Sequence, residues 1–179
     1  VAKVNWNDAQ AFCAWLTKKE QTTGKIKAGQ RYRLPTDAEW SVVVGLGKET
    51  GNTPKEKRES GKVNLKDVYP WGKEWPPPKG AGNYNESLKV DDFAYTSPVG
   101  SFAANAHGLY DLGGNVWEWC EDYYDPIAKE NRVLRGASWE RDNTDDLLSS
   151  RRGARTPDRR DDFKGPYGFR CVLTDGSGQ

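Results

Sequence analysis

Residues 108–119 read Gly-Leu-Tyr-Asp-Leu-Gly-Gly-Asn-Val-Trp-Glu-Trp and form the most informative stretch of this 179-residue chain. Asp111 and Glu118 supply carboxylate oxygens, and Gly113 and Gly114 allow the backbone between them to turn so that carbonyl oxygens face inward. Calcium takes about six to eight oxygen ligands in a flexible cage, and mixed carboxylates and carbonyls suit it. The stretch therefore predicts a turn that can hold a cation, unless both acids only cap turns or pair with arginine.

The first predicted element is an amphipathic helix near the N-terminus. Asn5 or Asn7 can cap it, because a short polar side chain accepts hydrogen bonds from the free N–H groups of a first turn. Apolar residues recur at helical spacing on one face, and the pattern fades at residues 22–24. These apolar residues are Ala9, Phe12, Trp15 and Leu16.

A short strand and a second helix are predicted next. Residues 31–34 alternate in polarity, as a half-buried strand does. Thr36 and Glu39 form a capping box, in which each side chain satisfies a backbone N–H at the start of a helix, and this helix is expected to end near residues 45–47. Residues 48–66 are rich in Lys, Glu, Gly and Asn without periodicity, which predicts a solvated loop.

Loops and short strands are predicted for the remainder of the chain. Prolines prevent a continuous helix in residues 69–100, and aromatic side chains can anchor the loops there. Short strands are predicted at residues 132–135 and 169–173. Because there is no internal repeat or low-complexity linker, we predict a single α+β domain over residues 1–179, with two helices, short strands and extensive loops.

Composition argues against several broad classes of protein. The formal net charge is +1, so no global field attracts the chain to nucleic acid or to a membrane surface. The longest apolar runs are far too short to span a bilayer, so direct membrane insertion is not expected. Three cysteines and one histidine match no zinc-binding spacing, and an odd number of cysteines does not suggest a disulfide scaffold.

Ordered motifs along nearly the whole chain resemble those of the formylglycine-generating-enzyme, or sulfatase-modifying factor, family. They occupy residues 5–16, 33–40 (Arg-Leu-Pro-Thr-Asp-Ala-Glu-Trp), 69–72, 82–84, 108–119, 132–139 and 168–171. The resemblance implies a C-type-lectin-like fold. The strands that precede the first helix in this family are missing here, which indicates either a minimal domain or part of a longer protein fused to other domains.

The same resemblance implies one or two bound calcium ions. The family positions of the first site match Asp111 and Glu118 by side chain and Leu112, Gly114 and Val116 by main chain. A second site matches Asn83, the carbonyl of Tyr84, Asp91 and the carbonyl of Phe93. The loop between Asn83 and Asp91 is shorter than in catalytic members, so the family's carboxylate ligand could match Asp92 instead of Asp91. The alternative to a calcium site is a solvated acidic loop.

Catalysis by the family's mechanism is not expected. Catalytic members use two cysteines that bind copper(I) as soft thiolates, and the matching positions here are Arg141 and Asp146. Neither side chain is a soft ligand or a thiol nucleophile, so no copper is expected. A three-histidine iron site needs more than His107, and a hydrolase needs a histidine partner for Ser138. The alternative is an enzyme of this family with an atypical active site.

Residues 140–167 replace the catalytic segment with a charged surface, which we interpret as a face for a protein or peptide ligand. Long side chains of both signs can make charge-assisted hydrogen bonds there, and Leu147 and Leu148 can fix the segment to the core. The candidate ligand-binding residues are Trp139, Glu140, Arg141, Asn143, Asp145, Arg152, Arg155, Arg159, Asp161, Asp162 and Tyr167. This layout resembles variable proteins diversified by retroelements. The alternative is an ordinary charged surface on an accessory domain, for example that of a bacterial kinase.

The cysteines add one expectation from the resemblance. In the family, a cysteine of the first helix lies beside one of the terminal strand, which implies that Cys13 and Cys171 form a disulfide or two buried thiols in contact. Cys120 is expected to be buried alone. The sequence leaves the compartment open between the bacterial cytoplasm and the cell surface.

Overall fold

The computed structural model describes residues 2–160 and 166–175. The helices among these residues are α1 (Trp6–Thr22), α2 (Asp37–Val43) and α3 (Pro54–Asn64), with a 3₁₀ turn at Glu86–Leu88. The strands are β1 (Arg31–Arg33), β2 (Trp117–Tyr123), β3 (Arg132–Arg135), β4 (Gly153–Arg155), β5 (Tyr167–Gly168) and β6 (Val172–Thr174). The α+β class is confirmed, but three α-helices are present where two were predicted. None of the described helices is long and apolar enough to cross a bilayer.

Both predicted helices begin at predicted caps. The Asn5 side chain accepts a hydrogen bond from the Asp8 N–H, and the Asp8 carboxylate accepts one from the Asn5 N–H. Thr36 and Glu39 make the same reciprocal pair at the start of α2. Each pair satisfies N–H groups that have no partner within the helix, which fixes where the helix starts.

The buried face of α1 is narrower than its apolar pattern. Ala9 and Cys13 are buried, whereas Phe12 and Trp15 are 41% and 52% exposed. The two exposed rings contact each other, and Phe12 also packs edge-on against Phe169 near the C-terminus. Ala9 and Cys13 of α1 therefore face the core, Trp6 packs at its edge, and Phe12 and Trp15 lie on the outer surface.

Residues 48–66 contain α3, so the prediction of a solvated loop there is wrong. Thr53 caps the helix by accepting a hydrogen bond from the Glu56 N–H, and Pro54 occupies the first turn. These are favourable residues for a helix start. Gly61 is the buried residue of α3. The charged composition therefore belongs to an exposed helix.

A four-stranded sheet in the order β4-β3-β2-β5 positions the site. Strand β2 pairs antiparallel with β3 and parallel with β5, while β3 pairs antiparallel with β4. A separate two-stranded sheet joins β1 to β6, so an early and a late part of the chain meet. The strand predicted at residues 132–135 is β3, and the one predicted at 169–173 overlaps the start of β6. Strands β2, β4 and β5 were not predicted.

Aromatic side chains fill much of the core. Trp119 and Tyr167 are buried with ring centroids 5.5 Å apart, and Leu134 belongs to the same cluster. Leu147 and Leu148 are buried there too, as predicted. A smaller cluster contains Trp40, Leu112, Cys120 and Val133. Leucines therefore fix the segment between β3 and β4 to the core, and its residues 142–145 are exposed.

Candidate functional site

The segment between β3 and β4 carries the two positions matched to catalytic cysteines, and they form an ion pair. Arg141 Nη1 lies 3.3 Å from Asp146 Oδ2, and Arg151 Nη2 lies 2.8 Å from Asp146 Oδ1. Asn143 donates its side-chain amide to Asp146 Oδ2 at 3.0 Å and accepts the Asp146 N–H at 2.9 Å. One carboxylate is thus shared by two guanidiniums and an amide.

A small cavity of about 60 Å³ opens beside this network. It is lined by Trp117, Leu134, Arg141, Asp146, Arg151, Gly153, Arg155 and Tyr167. Arg155 Nε donates to the Tyr167 hydroxyl at 2.9 Å, and Arg155 Nη1 donates to the Ala154 carbonyl at 2.8 Å. The cavity therefore has an apolar and aromatic floor, and its charged lining is three guanidiniums and one carboxylate.

Arg152 is not a surface residue. Its side chain is 0% exposed, with Nε 2.9 Å from Asp37 Oδ1 and Nη1 2.8 Å from Glu49 Oε1. Arg135 reaches the same Asp37 carboxylate from β3, with Nη1 2.5 Å from Oδ1. The prediction of Arg152 as a ligand-binding residue is wrong, because two carboxylates draw its guanidinium into the interior.

The other predicted face residues differ in exposure. Asn143, Asp145 and Arg159 are exposed, Trp139, Glu140, Arg141 and Arg155 are half-buried, and Tyr167 is buried. Trp139 packs edge-on against the exposed Tyr95, with ring centroids 5.2 Å apart. Tyr167 is buried and forms part of the cavity floor, so a ligand would meet it only within that cavity. Asp161 and Asp162 lie outside the described residues.

The first predicted calcium set surrounds an arginine. Glu118 accepts from Arg170 through both oxygens, at 2.5 Å from Nε and 2.8 Å from Nη2. The same Nη2 donates to the carbonyls of Tyr110 and Asp111, each at 3.1 Å. Asp111 Oδ2 accepts the Gly100 N–H at 2.8 Å. Both carboxylates of the set therefore have donors from the protein itself.

The main-chain members of this set lie on the turn. Leu112 and Gly114 are buried, and Val116 is half-buried. Gly114 has φ +79°, and a Cβ there would collide with the Asn83 carbonyl oxygen. The turn borders an open cavity of about 650 Å³, whose lining includes Asp111, Val116, Glu118, Phe169 and Arg170.

The second predicted calcium set is gathered in one loop. Asp91 accepts the N–H groups of Tyr84 and Phe93, each at 2.9 Å. Asn83 is fully buried and donates its amide to the Tyr95 carbonyl at 2.8 Å, while its Oδ1 has no hydrogen-bond donor among the described residues. A buried oxygen without a donor is costly, so this atom fits a cation ligand. Over residues 2–160 and 166–175, no group of three His, Cys, Asp or Glu side chains converges as a metal site.

The cysteines lie as the resemblance implied. Cys13 and Cys171 are free thiols in contact, with their Sγ atoms 3.5 Å apart. Their hydrogen bond, together with burial, raises the pKa of Cys13, and the same bond lowers the pKa of Cys171. Cys120 is fully buried, as predicted, and burial raises its pKa.

The other catalytic candidates have unsuitable positions. Ser138 is 0% exposed, which closes its hydroxyl to an external substrate, while His107 lies on an exposed turn. Sequence reasoning did not assign a role to Arg151 or Arg170. Arg170 stands in the Gly-Phe-Arg motif, but no local pattern indicates that its partner is Glu118, 52 positions away.

Known proteins resemble this chain over nearly its whole length. A family model described as the sulfatase-modifying factor enzyme 1-like domain matches residues 1–175. The inactive C-alpha-formylglycine-generating enzyme 2 of Mus musculus is 36% identical over 186 residues, covering 98% of this chain and 49% of that protein. The formylglycine-generating enzyme of Thermomonospora curvata is 30% identical over 197 residues (96% and 54%). The serine/threonine-protein kinase pkn1 of Chlamydia caviae is 32% identical over 188 residues (96% and 24%).

Solved structures share the fold. PvdO from Pseudomonas aeruginosa superposes with a TM-score of 0.64 and 28% identity, covering 97% of this chain and 60% of that one. Treponema denticola variable protein 1 gives a TM-score of 0.58 and 22% identity, covering 97% and 70%. The architecture is the C-type-lectin-like fold that the motifs implied. The chain spans about half the length of the first curated relative it matches. Because the family model extends over residues 1–175, the chain belongs to the sulfatase-modifying factor enzyme 1-like domain family.

Proposed function

We propose that this chain is a non-catalytic ligand-binding domain of its family, which presents the surface of residues 139–160 and 166–167 to a protein or peptide. The observation that carries the proposal is the ion pair of Arg141 and Asp146 at the positions matched to catalytic cysteines. A guanidinium stays protonated and repels a metal ion, and a carboxylate is a hard ligand that copper(I) does not favour. The inactive relative from Mus musculus supports the same conclusion.

The family's copper chemistry provides the direct test of lost catalysis. The chain is incubated with copper(I), oxygen and a Cys-containing sulfatase peptide, beside a formylglycine-generating enzyme as positive control. We expect no aldehyde above the background of the peptide alone, measured by mass spectrometry. Turnover of the peptide would overturn the proposal and favour the alternative of an atypical enzyme, which the similarity to the Thermomonospora curvata enzyme supports.

The exposed part of the surface supports recognition of a protein or peptide. Asn143, Asp145 and Arg159 offer polar groups of both signs, and the Trp139–Tyr95 pair offers an aromatic contact. Aromatic side chains and arginines are enriched among the residues that dominate binding energy. Peptides selected against the chain from a display library should therefore lose binding to a Trp139→Ala variant and keep binding to Trp15→Ala. Equal retention by both variants would place the binding surface elsewhere.

Calcium support of the scaffold is the second part of the proposal. The unpartnered Oδ1 of buried Asn83 supports the set that contains Tyr84, Asp91 and Phe93. At the other set, a cation would have to displace the Arg170 guanidinium from Glu118. Calcium bound to such sites would tie loops together and neutralise carboxylates, and it would not take part in chemistry.

Thermal unfolding with and without calcium tests this part. A ligand at one hundred times its Kd stabilises the folded state by about 2.7 kcal/mol, so we expect a clear rise in Tm in millimolar calcium over EGTA. Asp91→Asn should abolish the rise if the Asn83 set binds, and Glu118→Gln should abolish it if the other set binds. Asp142→Asn, on an exposed side chain, is the control. Identical Tm values with and without calcium would refute calcium support.

Two finer readings of the ligand surface follow from different observations. The Chlamydia caviae kinase aligns with 96% of this chain through 24% of its own length, which favours an accessory domain in a larger protein. The full-length gene would test this by showing, or failing to show, a fused kinase.

Diversification by a retroelement rests on the position of residues 140–162 alone. Sequencing of related loci tests it, because evenly scattered substitutions would contradict it.

A further inference from the structure

The charged side chains that line the small cavity are mostly positive. Its lining contains Arg141, Arg151 and Arg155 but one carboxylate, that of Asp146. Asp146 is shared between Arg141 and Arg151. Arg58 on α3 adds a further like charge close enough to act on Arg151. The exposed Asp145 partly offsets it.

The guanidinium of Arg151 has an N–H group that can donate a further hydrogen bond. Its Nη2 pairs with Asp146, while its Nε is buried and has no acceptor among the described residues. Burial and the neighbouring Arg58 together lower the pKa of Arg151, and an anion beside it would offset the repulsion from Arg58. A buried N–H without an acceptor is a costly feature that a bound oxyanion would remove.

The cavity has a suitable size and entrance. Its volume of about 60 Å³ is several times the roughly 10–15 Å³ that one water molecule requires. That space admits a carboxylate or a phosphate group but excludes a whole amino acid. The side chains of Arg151 and Asp146 are 23% and 12% exposed, so the charged rim is reached from solvent. The buried rings of Trp117 and Tyr167 form its floor.

We propose that the cavity lined by Arg141, Arg151 and Arg155 binds a small oxyanion. The anion would be presented by a peptide ligand, either as a carboxylate of an acidic residue or as a phosphate group. Guanidiniums recognise both chemistries through paired N–H donors. The identity of the presenting peptide rests on the proposed function, whereas the affinity of the cavity for a free oxyanion does not.

Arginine side-chain NMR on the full chain tests the proposal. The ¹⁵N-labelled protein is titrated with acetate and, separately, with inorganic phosphate, against chloride at constant ionic strength. We expect saturable shifts of the Arg151 and Arg155 Nε–H signals with at least one probe. Saturation by acetate indicates a carboxylate source, and saturation by phosphate alone indicates a phosphorylated one. No saturable shift with either probe would overturn the proposal.

Variants with opposite effects make the test independent of folding defects. Arg151→Gln should weaken binding of the anion about tenfold, because one charge-assisted hydrogen bond is lost. Asp146→Asn removes the competing carboxylate and should tighten binding several-fold. Arg31→Gln, which removes an exposed positive charge in β1, should leave the affinity unchanged. Equal weakening by Arg151→Gln and Arg31→Gln, or weaker binding in Asp146→Asn, would contradict the assignment. Aldehyde formation in the copper assay would contradict the proposed function, but it would not change the outcome of these titrations.

Discussion

At the scale of single residues, Asp37 holds together the buried charge of the molecule. Its carboxylate meets Arg135 and Arg152, and Arg152 also makes a two-point pair with Glu49. Burial alone would raise the pKa of Asp37, but the two guanidiniums hold it below its ordinary value. Two buried positive charges therefore depend on this carboxylate being ionised.

Removing that charge should be strongly destabilising. Asp37→Asn removes the carboxylate that pairs with Arg135 and leaves Arg152 with Glu49, and breaking a buried pair costs about 3–5 kcal/mol. The folded-state pKa lies below the unfolded one, so the stabilisation is complete above the unfolded pKa and is lost as the pH falls through the folded pKa. Urea unfolding should show the full difference at neutral pH and a smaller one below about pH 4.

The matched control for Asp37 is an exposed acid. Glu59→Gln removes a partner of Lys62 on the surface of α3, where solvent screens the pair and its loss should change the free energy of unfolding little. Equal losses of unfolding free energy for Asp37→Asn and Glu59→Gln, or a loss for Asp37→Asn that does not shrink in acid, would contradict the role given to the buried carboxylate.

Gly114 is the second residue whose substitution should strongly destabilise the fold. It has φ +79°, and a Cβ there would meet the Asn83 carbonyl and the Tyr84 ring. Gly114→Ala should therefore combine left-handed strain of roughly 1–2 kcal/mol with overpacking of about 1–3 kcal/mol. Gly45, with φ +82° and no neighbour within 4 Å, isolates the strain alone. Chemical unfolding should show a larger loss for Gly114→Ala than for Gly45→Ala, and equal losses would remove the collision from the explanation.

Residue identity alone made some of the site predictable. Arg141 and Asp146 cannot be thiolates, and that conclusion needed no coordinates. The burial of Arg152 was hidden because its partner Asp37 lies 115 positions earlier in the chain. For Glu118, the sequence indicated only that it could pair with an arginine, and it did not identify Arg170. Long-range partners decide whether an arginine faces solvent or the core, and no local pattern records them.

At the scale of elements, α3 shows where composition misleads. Thr53, Pro54 and Glu56 form a helix start that was present in the sequence, yet the absence of an apolar stripe favoured a loop. Strand β2 was missed for a related reason. Its first four residues are all buried, so it lacks the alternation by which half-buried strands are recognised. The capped helices α1 and α2 were predictable because their signals are local.

The docking of α3 can be tested through its one buried residue. A Cβ on Gly61 would lie 2.8 Å from Ser150 Cβ, at the end of the segment that carries the ion-pair network. Gly→Ala in a helix normally gains up to about 1 kcal/mol, but overpacking here should cost about 1–3 kcal/mol. Gly61→Ala should therefore destabilise in urea unfolding.

A double-mutant cycle separates the contact from general effects on the helix. Ser150→Gly removes the opposing Cβ, so Gly61→Ala should cost less, or become stabilising, in that background. An unchanged cost in both backgrounds would show that Gly61 is needed for some reason other than close approach. Stabilisation by Gly61→Ala in the otherwise native chain would show that α3 does not pack here.

At the scale of the whole molecule, the two ends of the chain are joined at several points. Strand β1 pairs with β6, and the Val4 N–H donates to the Tyr167 carbonyl at 3.3 Å. The thiols of Cys13 and Cys171 meet beside these contacts, 158 positions apart in sequence. Contacts between segments so distant in sequence form only against the entropy cost of closing the long loop between them.

Oxidation of the thiol pair should therefore stabilise the whole domain. A cross-link between Cys13 and Cys171 would remove unfolded-state entropy equivalent to about 3–5 kcal/mol. We expect a higher Tm after mild oxidation, reversed by dithiothreitol and absent in Cys13→Ser. Cys120→Ala removes a buried thiol outside this pair and should retain the redox-dependent difference. Equal Tm values for the oxidised and reduced chains, with the Cys13–Cys171 bridge shown by mass spectrometry, would contradict this prediction.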